Sequence, residues 1–288
     1  MEYRQFDPTP RLAPFLECLW TLTGQASELG GDVQPVLPDG RPELVIHFGD
    51  GFERLSFDGT AMPQALVLFA GQLDAQLTLR PTGRISVLGI RFRPFGAAAL
   101  FPSEQQHLVG HTVALGSINP KLESALSQIR SLTDAAAVAR PLVEAVLLEA
   151  LVPSRIDARI RYAANTIMRA RGQVSINALA AATSVTRRHL ERQFLRAVGL
   201  TPKRLARIAR FQHALELLQQ PGAGARGVHT AAECGYADQS HFIRDFRDLA
   251  GCSPSEHLLS QAELTGFFVR GATVHPFTSG GAVEPACQ

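Results

Sequence analysis

Two hydrophobic periodicities share this chain, and one gives way to the other near Pro153-Ser154. Before that point apolar residues form short runs or alternate with polar ones. Glu43-Leu-Val-Ile-His-Phe48 is closed by Gly49-Asp50-Gly51. Ala65–Ala70, Ala75–Leu79 and Ile85–Phe92 follow, and the stretch from Val33 ends in the turn signal Pro38-Asp39-Gly40. Runs of this length, bounded by turn formers and closely spaced, predict the strands of a small barrel or sandwich. Two helical stretches close this half, near Pro120–Arg130 and Thr133–Leu151. The second carries Ala, Leu and Val on several faces, as a helix packed on its own barrel or one shared with a second copy would.

From Ser154 to about Ser260 the period is helical. Ser175 is an N-cap candidate ahead of residues 176–183, Ser184-Val185 reads as a turn, and Thr186 caps a helix over Arg187–Ala197. Leu190 and Phe194, four apart, share an inward face, which turns Arg187, Arg188, Glu191 and Arg192 outward. The arrangement then returns. Ala231–Cys234 is a supporting helix and Gly235-Tyr236 a turn. Asp238 caps Gln239–Leu249, with Phe242 and Phe246 inward and Gln239, Ser240 and Arg244 outward. Between the units Pro202 opens a helix that runs to Leu218 with a broad apolar face. One rigid helix joining two helix-turn-helix units can hold two exposed helices about 34 Å apart, the spacing of successive major-groove turns. On such a face Arg bridges the two acceptors of guanine, Gln pairs with adenine and Glu accepts from cytosine. A single charged helix face is an ordinary solvated surface; its repetition on a shared scaffold gives it weight.

Charge follows the same division. Residues 1–153 hold 11 Lys+Arg against 16 Asp+Glu, whereas 154–259 hold 16 against 8, a net +8 inside a chain whose total is only +2. A basic half suits a polyanion, and an acidic half does something else. With 45% hydrophobic residues over 288 positions, each half has enough apolar material for its own core. No apolar run reaches the roughly 18 residues of a membrane helix, and the first seven residues lack a signal-peptide pattern. The chain therefore reads as cytoplasmic, with no membrane partner. Cys18, Cys234, Cys252 and Cys287 form no Cys-x-x-Cys pair and read as reduced thiols.

The C-terminal pattern resembles the DNA-binding domain of the AraC/XylS family of bacterial regulators. Leu179-Ala180, Arg188-His-Leu-Glu-Arg-Gln-Phe194, Gly199-Leu-Thr-Pro202, Cys234-Gly-Tyr-Ala-Asp-Gln-Ser-His-Phe-Ile-Arg-Asp-Phe-Arg247 and Gly251-Cys-Ser-Pro254 carry the likeness. The resemblance implies that Arg188, Glu191 and Arg192 contact bases in the first unit and Gln239, Ser240 and Arg244 in the second. Arg187, His241 and Arg247 complete the candidate set. Two departures stand out: Ser184 occupies a turn position where the family usually has Gly, and Gly227 and Thr230 stand where it prefers large apolar residues. The N-terminal half resembles a sensor-like domain of some family members through Leu37–Phe48, Pro81–Arg84 and Gly89–Leu100.

The expectation is an α+β multidomain protein. Residues 1–153 form a small β-barrel or cupin-like sensor or dimerisation domain with flanking helices. Residues 154–260 form an all-α double helix-turn-helix domain, and 261–288 a tail. Double-stranded DNA and RNA polymerase are the expected partners, with a small-molecule effector and a homodimer through the N-terminal domain as further candidates. His47, Arg91 and Arg93 are the candidate effector-binding residues. His47 reads otherwise as a structural histidine, and the two arginines as partners of acidic groups in their own domain. Asp39, Arg41 and Glu43 read as a salt-bridged surface turn. No catalytic set, metal site or cofactor loop is read from the residues, so the chain is taken as a non-enzyme. The alternative is a cupin-type barrel enzyme with an appended DNA-binding module.

Overall fold

The computed structural model describes residues 1–29, 33–56, 58–219 and 231–259. Before residue 115 the chain forms strands β1 (Glu2–Phe6), β2 (Leu16–Gln25), β3 (Gln34–Val36), β4 (Glu43–His47), β5 (Phe52–Leu55), β6 (Ala61–Pro63), β7 (Val67–Ala70), β8 (Leu77–Pro81), β9 (Arg84–Phe92) and β10 (Thr112–Ala114); β3, β4, β7, β8 and β9 take up the predicted runs, and the other five lie outside them. They pair antiparallel in two sheets, ordered β1-β2-β9-β4-β7-β10 and β3-β8-β5-β6. The barrel-like expectation thus takes the form of two separate sheets with open ends.

Strand β9 shows why residues 85–92 read as a nearly unbroken apolar run. Leu88, Ile90 and Phe92 pack with Leu126, Ile129, Val143 and Leu147 of helices α1 (Pro120–Leu132) and α2 (Ala136–Ala150). Ile85 and Val87 join Trp20, Leu22 and Phe52 in a separate cluster. A strand buried on both faces has no polar alternation left to show. Gly89 sits in register with Trp20, and a Cβ there would lie inside the indole ring. Phe69, Phe92 and Phe101 form a trio with ring centroids 4.7–6.3 Å apart. Helix α2 buries Ala139, Val143 and Leu147 and exposes Val138 and Leu142.

The second half folds as α3 (Ala158–Arg169), α4 (Ile176–Ala182), α5 (Arg187–Val198), α6 (Pro202–Leu218), a helical stretch at 231–233, α7 (Gln239–Ala250) and α8 (Pro254–Leu259). Its anticipated caps are in place: Ser175 accepts from the Ala178 amide, Thr186 from His189 and Asp238 from His241. Thr201 caps α6 ahead of Pro202. Helix α6 buries Leu205, Ile208, Phe211, Leu215 and Leu218, and α3, α4, α5 and α7 pack into the same cluster. Gly227, Thr230 and the tail with Phe267–Val269 lie outside the described residues. No helix among the described residues is long and apolar enough to cross a membrane.

If residues 1–153 and 154–260 are taken as two domains, the packing still crosses that line. Leu37 and fully buried Phe95 belong to the core of the helical half. Gln212 Nε2 donates to the Pro38 carbonyl (2.7 Å), Arg204 pairs with Asp74 (3.2 Å), and Arg196 pairs with Glu104 (2.6 Å).

Candidate nucleic-acid interface

The two helix-turn-helix turns are built from the same hydrogen bonds. In the first, the Ser184 amide donates to the Ala181 carbonyl (3.0 Å) and Val185 to Ala180 (3.1 Å). In the second, Gly235 donates to Ala232 (3.0 Å) and Tyr236 to Ala231 (3.0 Å). Each turn places one residue in the left-handed region, Ser184 at φ 54° and Gly235 at φ 74°. Glycine adopts this freely, whereas serine does so at a cost of about 1 kcal/mol. The following helices also match. Side-chain caps Thr186 and Asp238 start them, and left-handed Gly199 and Gly251 end them. Leu190, Phe194 and Val198 of α5 are buried, as are Phe242, Phe246 and Leu249 of α7. Phe246 meets Phe211 of α6 edge-on, with centroids 5.1 Å apart.

What remains faces water. Arg187, Arg188, Arg192, Gln239, Ser240, Arg244 and Arg247 are exposed; Glu191 and His241 are half-buried. The candidates therefore form two groups, one per helix. Arg187 donates to Glu191 at 2.8 Å, an exposed i, i+4 pair. Such pairs hold by only about 0.3–0.5 kcal/mol and yield readily to a competing phosphate. The ring of His241 packs edge-on to Tyr236 (5.3 Å).

A positioning element was not visible in the sequence. Arg207 of α6 reaches Asp245 (3.0 Å) and Asp248 (2.6 Å) of α7, fixing that helix to its scaffold. Asp245 is buried; an acidic residue within the inward half of an amphipathic helix was the available signal. The N-terminal half touches the far ends of both helices. A Cβ on Gly199 would meet the Gln105 carbonyl at 2.9 Å, and one on Gly251 would lie 3.4 Å from Gln76 Oε1.

The three candidate effector residues are not brought together. His47 and Arg91 occupy opposite ends of the β4–β9 ladder, where His47 pairs with Val87 and Glu43 with Arg91. His47 is buried against Phe52 (5.0 Å), and its ring nitrogens have no hydrogen-bond partner among the described residues. Burial, helped by the nearby Arg130 charge, pushes its pKa down to about 4, so the ring is neutral at pH 7. Arg91 is buried and bonded to Glu43 (2.8 Å), with Asp39 at 3.7 Å. Burial opposes its charge, but the two carboxylates more than offset that and hold its pKa above the ordinary value. The expected surface turn is thus a largely buried ion network, with the Trp20 indole also donating to Glu43 (3.2 Å). Arg93 lies past the end of β9, bonds the Ala13 carbonyl (3.0 Å), and opens into a cavity against α3.

Residues 179–259, which run from within α4 to the end of α8, match a family described as a helix-turn-helix domain. The chain is 37% identical over 83 residues to the HTH-type transcriptional activator RhaS of Escherichia fergusonii. The C-terminal part is thus similar to the helix-turn-helix domain of a transcriptional activator. The match with RhaS covers 29% of each protein, so the chain spans less than a third of that relative's length. Residues 4–114 match a domain of unknown function, DUF6597. Among solved structures, a probable AraC family regulator from Rhodopseudomonas palustris is 31% identical, covering 36% of this chain and 96% of its own, with a TM-score of 0.32. ToxT from Vibrio cholerae O395 aligns over 83% of this chain and 97% of its own at 11% identity, with a TM-score of 0.42.

Proposed function

We propose that the chain is a transcription regulator that binds duplex DNA by placing α5 and α7 in successive turns of the major groove. One observation carries the reading. Two turns with the same hydrogen bonds, a left-handed residue at the same position and the same capped, glycine-ended helix each leave a polar face open while anchoring to one helix, α6. On these faces Arg188 and Arg192 suit guanine, Glu191 cytosine, Gln239 adenine and Arg244 guanine. Arg187, Ser240, His241 and Arg247 flank them and suit phosphates or neighbouring bases. The N-terminal half acts as sensor and assembly domain, with Val138 and Leu142 of α2 as the face for a second copy and RNA polymerase as the downstream partner.

Selection of bound sequences from random duplexes, followed by affinity measurement on the winning site, tests this. Arg188→Ala and Arg244→Ala are each expected to cost about 1–3 kcal/mol and to relax preference at one base position. Binding should also fall steeply with salt, because Arg–phosphate contacts release counterions. Unchanged affinity and unchanged preference in both variants would refute the assignment of α5 and α7.

A further inference from the structure

Between the β-rich half and α3 lies a cavity of about 420 Å³, within the size range of small-molecule sites. Glu17, Arg41 and Arg93 line it from one side; Asn165, Met168 and Arg169 line it from α3. Its charges are unevenly satisfied. Arg41 is bonded to Glu17 and to the Asp39 carbonyl, so the cavity's carboxylate is already occupied. Arg93 has only the Ala13 carbonyl, and neither it nor Arg169 has a carboxylate partner among the described residues. Two guanidiniums from opposite walls therefore open onto one space. Asn165, one helical turn before Arg169, adds an amide on the same wall. We infer that this seam is a binding site for a small, multiply charged anionic metabolite, a di- or tricarboxylate or a phosphate ester, held between Arg93 and Arg169. The planar fork of Arg matches both carboxylate and phosphate oxygens in bidentate fashion. Met168 supplies apolar contact for a short carbon chain.

The site's position gives it leverage. Arg41 follows Gly40, whose backbone lies against Leu205 of α6 (a Cβ there would meet Leu205 Cδ1 at 2.8 Å). Arg93 is two residues before Phe95, which is buried among the helices. Gln72 Nε2 ties the two strips together, donating to the Gly40 (3.0 Å) and Pro94 (3.2 Å) carbonyls. A ligand bridging Arg93 to α3 thus grips the segments that hold the helical half. Its effect on DNA affinity is reciprocal with the effect of DNA on ligand affinity. That last step rests on the DNA-binding reading; the site itself does not.

Isothermal titration of the full chain with succinate, citrate, inorganic phosphate and glucose 6-phosphate, at constant ionic strength, tests the site. At least one probe is expected to bind one-to-one, with a dissociation constant raised about tenfold or more in Arg93→Gln and in Arg169→Gln. Arg169 is exposed, so Arg169→Gln is expected to keep the unfolding midpoint of the ligand-free protein. No saturable binding of any probe at millimolar concentration, or binding that both variants retain, overturns the proposal. Duplex affinity measured on the same samples separates the two readings. A chain that takes the probe but binds no duplex keeps the anion site and loses the regulator assignment.

Discussion

Phe95→Ala tests how the β-rich half is fastened to the helices. Phe95 follows β9 in the chain, yet its fully buried ring belongs to the helical cluster, alongside Leu37. Removing a ring from so enclosed a site forfeits its transfer free energy and leaves a cavity, a loss of about 3–5 kcal/mol. That loss falls on the joint between the halves, where Leu37 and polar contacts such as Gln212 to Pro38 and Arg204 to Asp74 remain. The chain has a single tryptophan, Trp20, buried in the β-rich half, so its fluorescence reports that half alone. Helical ellipticity is weighted toward residues 154–259. In urea the two signals are expected to coincide for the native chain. In Phe95→Ala they should separate, with the helical signal lost first; Phe95→Leu should fall between. Superimposed curves in Phe95→Ala, displaced together by less than about 1 kcal/mol, would show that the ring does not couple the halves.

Two further outcomes follow from the sheet half. His47 is held at a pKa of about 4 when folded, against 6.5 for an ordinary histidine, so the unfolded chain takes up its proton first. Stability contributed by neutral His47 is therefore complete above about pH 6.5 and falls as pH drops toward 4, by about 3 kcal/mol in all. His47→Leu should flatten this limb of a urea-midpoint-against-pH plot, and an unchanged limb would contradict the assignment. Gly89→Ala forces a methyl into the Trp20 indole and is expected to cost about 1–3 kcal/mol with a shifted Trp20 emission maximum; a native midpoint and native emission would show that the sheet yields at no cost.

The features legible in the sequence were those decided within a few residues. Ser175, Thr186 and Asp238 cap their helices through amides three positions away, and Leu190 with Phe194, or Phe242 with Phe246, declare an inward face by spacing alone. Strands β4, β7, β8 and β9 were legible as apolar runs between turns. Edge strand β1, Glu-Tyr-Arg-Gln-Phe, was not, because its outward positions are charged and only one neighbour pairs with it. The Arg91–Glu43 bond depends on the register of β4 against β9, and Arg207–Asp245 on the docking of α7 against α6. Neither is encoded by local spacing. An apolar Phe95 or Leu37 looks alike whichever core receives it, so the shared packing had no sequence signal.

The placement of Phe95 and Leu37 bears on how such a protein diversifies. A chimera that kept residues 154–259 and took its upstream half from elsewhere would inherit an unfilled hole in the helical core, and a foreign side chain would have to fit it. Recombination at Pro153 is therefore penalised even though architecture changes there. Viable exchanges would bring matching substitutions at positions 37 and 95 with the helices they fill.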